Sequence, residues 1–499
     1  MNEEALTFLK RLTQTKSLDA VLGETQGPGL KKVLGPTNLV LMGIGAIIGT
    51  GIYSTLGTAV AGDALRPGAG PAIILSFILT AVVCGFTALC YAEFASMVPV
   101  AGSAYTYAYA TLGELVAWVI GWDLILEYGI GNVAVAISWA GYAKSLLHGF
   151  GADLPSWLTI DYRTAIQKEP GILAAAPHIF GVPIVVNILA VAIVAFVTIV
   201  LIWGMKESAR FNAVMVLIKL VVLGLFVVVG WSYVHKENWH PVAPNGFHGI
   251  GAGAAVIFFA YIGFDAVSTS AEECKKPGRD LPIGILGSLV LCTVFYVIIA
   301  GVFTGLVPFP VIQGMSGDER AEALTFAMSH ASMPAWTVRI VGFGSIAAQT
   351  AVLLVFQLGQ ARMLFAMSRD GFLPKSFAKI HPKYKTPHVA TIITGVVVAV
   401  ASAFANIDEM VDLTNIGTLF AFILVCVGII ILRFRDPKRP RPFRVPFGPV
   451  LIPGLGLCSC LFLIVYLPPA SWLRFVIWLA VGLVVYAAYG YRHSRLRSG

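Results

Sequence analysis

Long apolar runs separated by short polar intervals dominate the chain. A helix needs about 20 consecutive apolar residues to cross the hydrocarbon core of a bilayer. Twelve runs approach or meet that length: 37–61, 71–97, 113–147, 181–204, 209–232, 249–271, 282–307, 335–366, 388–405, 412–433, 447–467 and 471–490. The pattern predicts an all-α polytopic membrane protein with twelve transmembrane helices. The third and eighth runs are long enough to tilt strongly or to project from the membrane. The longest polar interval, 148–180, contains Pro155, Pro170, Asp153 and Asp161. It reads as a loop with one short helix.

Two runs are interrupted. The first reads Gly43-Ile-Gly45-Ala-Ile-Ile-Gly49-Thr50-Gly51-Ile-Tyr53, and the sixth reads Gly251-Ala-Gly253 followed by Phe258-Phe-Ala-Tyr-Ile-Gly263-Phe-Asp265. Each glycine weakens a helix by about 1 kcal/mol relative to alanine. Broken spans 1 and 6, five helices apart, predict an inverted repeat of spans 1–5 and 6–10, with substrate held at the breaks. The same glycines also suit close helix packing through small residues.

Composition agrees with the runs. Of 499 residues, 57% are hydrophobic and 12% charged. Soluble chains carry about 25% charged residues, so a cytosolic enzyme, a secreted domain and a disordered scaffold are excluded. The net charge is +8, and its distribution reads as topology rather than nucleic-acid binding. With the N-terminus inside, about 25 of the 34 Lys and Arg face the cytoplasm, as the positive-inside rule requires. They include Lys10, Arg11, Lys16, Lys31 and Lys32, then Lys275, Lys276 and Arg279, the 362–385 segment and the 433–441 tract. The expected localisation is a cell membrane with both termini cytoplasmic.

The organisation follows: a cytoplasmic N-terminal segment 1–36, an inverted-repeat core 37–433 of spans 1–10, a cytoplasmic basic loop 434–446, spans 11 and 12 within 447–490, and a cytoplasmic tail 491–499. Leu6, Leu9 and Leu12 could lay the N-terminal segment on the membrane surface, or it is a solvated tail. The seven cysteines show no zinc-like spacing and read as small hydrophobes, with no disulfide and no metal site. A catalytic His-Glu-x-x-His helix, an ATP-binding Gly-x-x-x-x-Gly-Lys-Ser/Thr loop and a channel filter are all missing from the sequence. A secondary transporter remains, not an enzyme, and no cofactor is expected.

Four motifs in order resemble the amino acid–polyamine–organocation superfamily, and within it a bacterial-type member of the cationic amino-acid transporter family. They are Gly-Ile-Gly-Ala-Ile-Ile-Gly-Thr-Gly-Ile-Tyr in span 1, Tyr91-Ala-Glu93-Phe with Pro99-Val-Ala-Gly-Ser-Ala-Tyr105, Gly263-Phe-Asp265 with Glu272-Glu273-Cys-Lys-Lys-Pro277, and Ala366-Met-Ser-Arg-Asp370-Gly371 with Lys385-Thr-Pro387. The resemblance spans roughly 30–435. Eukaryotic cationic members have two further spans that this chain lacks.

The resemblance implies a site. Gly49, Thr50 and Gly51 match the motif that meets a substrate carboxylate, a fitting role for backbone N–H groups at a half-helix N-terminus. The carbonyls of Ile47, Phe259, Ala260 and Ile262 match positions that receive the ammonium, and Phe259 matches an aromatic gate. Glu127, in Trp122-Asp-Leu-Ile-Leu-Glu127-Tyr128, would partner a cationic side chain, or else serve as an intramembrane hydrogen-bond partner. Asp123 stays outside that core set. Gln349 approaches the substrate side chain or makes an interhelical hydrogen bond. Lys219 stands out without any resemblance, because a lysine at a span centre costs about 2.5–3.5 kcal/mol on insertion scales. In proton-coupled relatives a lysine here occupies the place of a sodium ion and exchanges a proton. The alternative is a fixed cation bonded to the carbonyls of broken span 1. Glu93, Asp265, Glu272, Glu273, Arg362 and Arg369 are candidate inner-gate ion pairs.

The expected activity is proton-coupled transport of arginine, lysine or ornithine by alternating access. The alternatives are a proton symporter for small neutral amino acids such as alanine, and a voltage-driven cation uniporter or exchanger. The expected partners are the amino acid and the bilayer; the sequence says nothing of an accessory subunit.

Overall fold

The computed structural model describes residues 14–15, 34–98, 103–203, 209–384 and 386–495. The N-terminal amphipathic piece, residues 99–102, Lys385 and the last four residues lie outside these, as do Lys10, Arg11, Lys16, Lys31 and Lys32.

Among the described residues, eight helices are long and apolar enough to cross a membrane. They are span 2 (Gly70–Met97), span 3 (Glu114–Gly149), span 5 (Val214–Trp231), span 6 (Gly246–Ser268), span 7 (Pro277–Leu306), span 8 (Ala335–Arg369), span 10 (Ile407–Arg435) and span 12 (Pro469–His493). Span 1 is a bent pair, Pro36–Ile47 and Gly51–Ala61, with 42° between the halves. Three shorter apolar helices complete the set: span 4 (Ile188–Trp203), span 9 (His388–Phe404) and span 11 (Leu451–Val465). The helices fall where the apolar runs predict them.

Packing reveals the repeat. Span 2 lies along span 7, span 3 along span 8, and span 4 along span 9. Each of these joins a helix to the one five places on. Span 1 also packs on span 7 as span 6 packs on span 2, and span 3 meets span 10 as span 8 meets span 5. Such reciprocal pairing is what a two-fold relation between spans 1–5 and 6–10 produces. The chain is therefore an all-α polytopic protein with an inverted repeat and broken spans 1 and 6.

Two regions depart from the sequence pattern. The fourth apolar run was expected to be helical from residue 181, yet span 4 begins at Ile188. The residues before it form a two-stranded hairpin, β1 (His178–Ile179) and β2 (Val182–Pro183). The 148–180 interval holds more than one short helix: Ser156–Leu158, Tyr162–Lys168 and Pro170–Ala175. These pack on a small core of Ile160, Ala165, Ala176 and Val185. We call the membrane face carrying this segment the loop face. The opposite, basic face carries Arg433 and Arg441.

Two links fasten the basic face. Leu34 N–H donates to the Glu273 carbonyl at 3.0 Å, and Lys275 N–H donates to the Leu34 carbonyl at 2.9 Å. This short parallel bridge between Leu34 and Cys274 ties the chain entering span 1 to the chain leaving span 6. Farther round, Glu93 of span 2 is fully buried. Its carboxylate accepts from Arg433 Nε at 3.0 Å, from Arg433 Nη2, from Arg441 Nε at 3.2 Å and from the Val445 N–H at 2.7 Å.

Candidate functional site

The two breaks meet at the centre of the bundle. The first α-helix of span 1 ends at Ile47, and Ile48 is extended. A π-helical turn over Gly51–Thr55 restarts the span. Span 6 tightens to a 3-10 turn at Phe258–Tyr261, becomes extended at Ile262, and turns at Gly263 with φ of 120°. A Cβ at Gly51 would lie 2.2 Å from Ala260 Cα, and one at Gly263 would lie 2.9 Å from the Ala46 carbonyl. Backbone touches backbone at both places, which only glycine permits. A Cβ at Gly49 would meet Val352 of span 8 at 2.8 Å. The Gly49–Gly51 segment is thus wedged between span 8 and the span 6 break.

Polar groups converge on this wedge. Thr50 Oγ1 donates to Gln349 Oε1 at 3.2 Å. The Gln349 amide nitrogen is buried without a partner. Lys219 is 1% exposed, and its ammonium donates to the carbonyls of Gly45 at 2.8 Å and Ile48 at 3.1 Å. Those carbonyls lie in the last turn of the first helix and just past it, where the break leaves acceptors without intrahelical donors. Buried charge is tolerable only when it is hydrogen-bonded in this way.

Tyr296 of span 7 was not legible as a site residue. Its hydroxyl reaches the Ile47 carbonyl at 3.0 Å and the Ala260 carbonyl at 2.8 Å. These are two of the four carbonyls expected to receive a substrate ammonium. Within an apolar helix nothing marks one tyrosine as polar; only the tertiary position of the two breaks reveals it. Phe259 is 6% exposed, and its carbonyl accepts from the Ile262 N–H at 3.4 Å.

Glu127 sits apart from this cluster. Its helix neighbour Tyr128 packs edge-on against Phe356, and Gly131 abuts the same ring. Phe356 is seven residues beyond Gln349 on span 8, about 10 Å along the helix at 1.5 Å per residue. Glu127 therefore occupies a separate layer toward the basic face. Its charged neighbours are Asp265 and Asp123. Both oxygens of Asp123 and Oε1 of Glu127 are buried without a hydrogen-bond partner, while Asp265 lies beside the Tyr128 hydroxyl. Asp123, which sequence reasoning set aside, belongs to this acidic layer.

The ion pairs also differ from expectation. The partners of Glu93 are Arg433 and Arg441 rather than Arg362 or Arg369. Glu273 takes part through its backbone carbonyl, and the side chain of Glu272 lies outside the described residues.

The loop face is closed above the site. Ser54 Oγ bonds Ser138 Oγ and the Ala321 carbonyl, and Tyr142 O–H donates to the Tyr53 carbonyl at 2.7 Å. Higher still, Arg66 pairs with Asp412 at 2.6 Å and with Asp63 at 2.7 Å. Burial works against the Arg66 charge, but the two carboxylates outweigh it and raise its pKa above the ordinary arginine range.

Two broken helices that meet at a polar cluster, within an inverted repeat, are the architecture of secondary transporters of the broken-helix class. Residues 34–488 match the amino acid permease family model. The chain is 44% identical to the branched-chain amino acid permease BcaP of Bacillus subtilis, over 96% of this chain and 98% of that protein. It is 42% identical to the methylthioribose transporter of the same organism, over 98% of this chain and all of that one. A vacuolar cationic amino acid transporter of Arabidopsis thaliana is 37% identical over 87% of this chain, which spans 65% of that longer protein. The protein belongs to the amino acid permease family, within the amino acid–polyamine–organocation superfamily, and is a membrane transporter rather than an enzyme.

Proposed function

We propose that the protein is a proton-coupled symporter for amino acids with uncharged, apolar side chains, working by alternating access. One observation carries this reading. The layer holding Thr50 and Gln349 meets Val352, while the carboxylates lie a further layer away. A substrate whose carboxylate meets Gly49–Gly51 and whose ammonium meets the carbonyls of Ile47, Phe259, Ala260 and Ile262 would present its side chain to Gln349 and Val352. The full-length similarity to a branched-chain permease supports the same class. Coupling is assigned to Lys219. Its ammonium takes the role of a bound cation for the Gly45 and Ile48 carbonyls, and a buried lysine readily exchanges its proton. The positive-inside rule puts the basic face in the cytoplasm, so an inward proton gradient would drive this symporter toward import.

A second reading keeps the cationic substrate. It is favoured by the acidic layer of Asp123, Glu127 and Asp265, in which Asp123 and Glu127 hold unpartnered buried oxygens. A carboxylate buried without a donor is costly and suits an arriving guanidinium or ammonium.

Uptake of radiolabelled leucine, alanine and arginine into proteoliposomes separates the two. A proton gradient is imposed with the membrane potential clamped. Leucine or alanine uptake driven by the gradient, with arginine neither carried nor competing, supports the first reading. Arginine uptake lost in Glu127→Gln supports the second. Uptake that ignores the proton gradient and follows voltage overturns the coupling assignment.

A further inference from the structure

We propose that the β1–β2 hairpin is a membrane anchor, with its tip seated in the headgroup region of the leaflet on the loop face.

The argument begins with a length. Among the described residues span 4 has 16 helical ones, Ile188–Trp203, about 24 Å at 1.5 Å per residue. Its neighbour, span 9, has 17. The hydrocarbon core is about 30 Å thick, so this helix pair falls several ångströms short. The shortfall lies at the loop-face end. At the other end Trp203 is 63% exposed, and tryptophan marks the membrane–water boundary. A lipid-facing stripe of Ile188, Ala192, Ala195, Phe196, Ile199 and Trp203 covers span 4 from its first residue to its last. Lipid contact has therefore not ended where the helix begins.

The hairpin continues that surface. No Asp, Glu, Lys or Arg occurs from Gly171 through Trp203. Ile179 is 55% exposed, Val182 is 58% exposed, and Phe180 at the tip is completely so. Polar loops do not normally leave three large apolar groups in water within four residues.

The turn itself is unusual. Phe180 has φ of 52° and Gly181 has φ of 79°, so both turn residues are left-handed, as in a type I′ hairpin. Asparagine, aspartate or glycine normally fills the first position at little cost, and a bulky residue there is an outlier. The chain holds an aromatic ring outward in a conformation it resists. A ring and a backbone polar turn together suit the headgroup boundary, where one side is apolar and the other wet.

The hairpin is also firmly based. Ile184 N–H donates to the Pro177 carbonyl at 2.8 Å, Val186 N–H to the Trp157 carbonyl at 2.9 Å, and Asn187 N–H to the Ala403 carbonyl at 3.3 Å, where span 9 ends. The anchor therefore holds the ends of spans 4 and 9 at a fixed depth.

The test uses a fluorescent label. Of the seven cysteines only Cys458 is exposed, so Phe180→Cys is made in a Cys458→Ser background and labelled with an environment-sensitive nitrobenzoxadiazole group. Asp153→Cys is the control, since its side chain is 73% exposed in the same segment. Each protein is placed in liposomes with and without phospholipid carrying a shallow nitroxide. The expected result is that the label at 180 loses more than half its emission to the nitroxide lipid and resists iodide, while the label at 153 does the reverse. Equal iodide quenching at both positions, with no nitroxide effect at 180, overturns the proposal. Shielding from both quenchers also overturns it, because a protein partner would then cover the tip. A label at Val182→Cys reads the same surface, so a folding defect at one position leaves the question decidable.

Discussion

The Tyr296 hydroxyl lies 2.8 Å from the Ala260 carbonyl, at an acceptor a bound amino acid would need. The same hydroxyl reaches Ile47 on the other broken helix at 3.0 Å. It has one proton to give and two carbonyls to serve, so an arriving ammonium with three donors satisfies the site better. Tyr296→Phe removes that one proton and leaves the carbonyl it served short of a donor, a loss of about 1–3 kcal/mol. The expected outcome is a lower melting temperature in detergent without substrate, and a larger upward shift on adding it. Thermal unfolding with and without amino acid measures both.

Lys219 separates holding from coupling. Arginine in its place keeps a permanent positive charge that releases no proton at physiological pH. Under the proposed coupling role, Lys219→Arg loses uptake driven by a proton gradient but keeps exchange of labelled for unlabelled substrate. Lys219→Ala loses both, because the Gly45 and Ile48 carbonyls become buried orphans. Gradient-driven uptake that survives in Lys219→Arg would assign the residue a structural role alone.

Gly51 and Gly85 form a matched pair. A methyl group at Gly51 collides with Ala260 backbone at 2.2 Å, whereas one at Gly85 meets nothing within 4 Å. Gly51→Ala therefore forces the two breaks apart, and transport should fall at least tenfold. Gly85→Ala should transport normally and gain up to about 1 kcal/mol of stability. Parallel uptake assays on the two variants check the contrast.

Arg66 clamps the loop face through Asp412 and Asp63. Arg66→Gln removes the charge from a buried network and leaves Asp412 uncompensated, a change of about 3–5 kcal/mol when a buried pair loses one member. Opening on that side becomes easier. A cysteine at Ser54, beneath the clamp, should react several-fold faster with a membrane-impermeant thiol reagent when Arg66→Gln is present.

The helices and the breaks were legible because hydropathy and glycine spacing are local properties. Gly49 through Gly51 announce a weak helix wherever the rest of the chain goes. Lys219 was legible for a related reason: its cost in lipid is a property of the residue and its place in the run. Span 4 differs at one end because Val182 to Val186 are apolar enough to extend the run of the helix that follows. Hydropathy records what contacts lipid, and it does not distinguish a helix from a hairpin. Tyr296 and Arg433 were missed for the opposite reason. One looks like any aromatic in an apolar span, the other like any basic residue at a span end. Their partners lie 36 and 340 positions away, and only folding brings them together. Glu127 was legible as a buried acid, but its depth relative to Gln349 required the packing of span 3 on span 8.

The bridge between Leu34 and Cys274 has a mechanical meaning. Two backbone hydrogen bonds yoke the strand entering span 1 to the strand leaving span 6, where each half-helix has its free end. Neither lever can swing alone without stretching the yoke. The basic-face halves then turn as one rigid handle, and the doorway on that side has a single hinge coordinate instead of two.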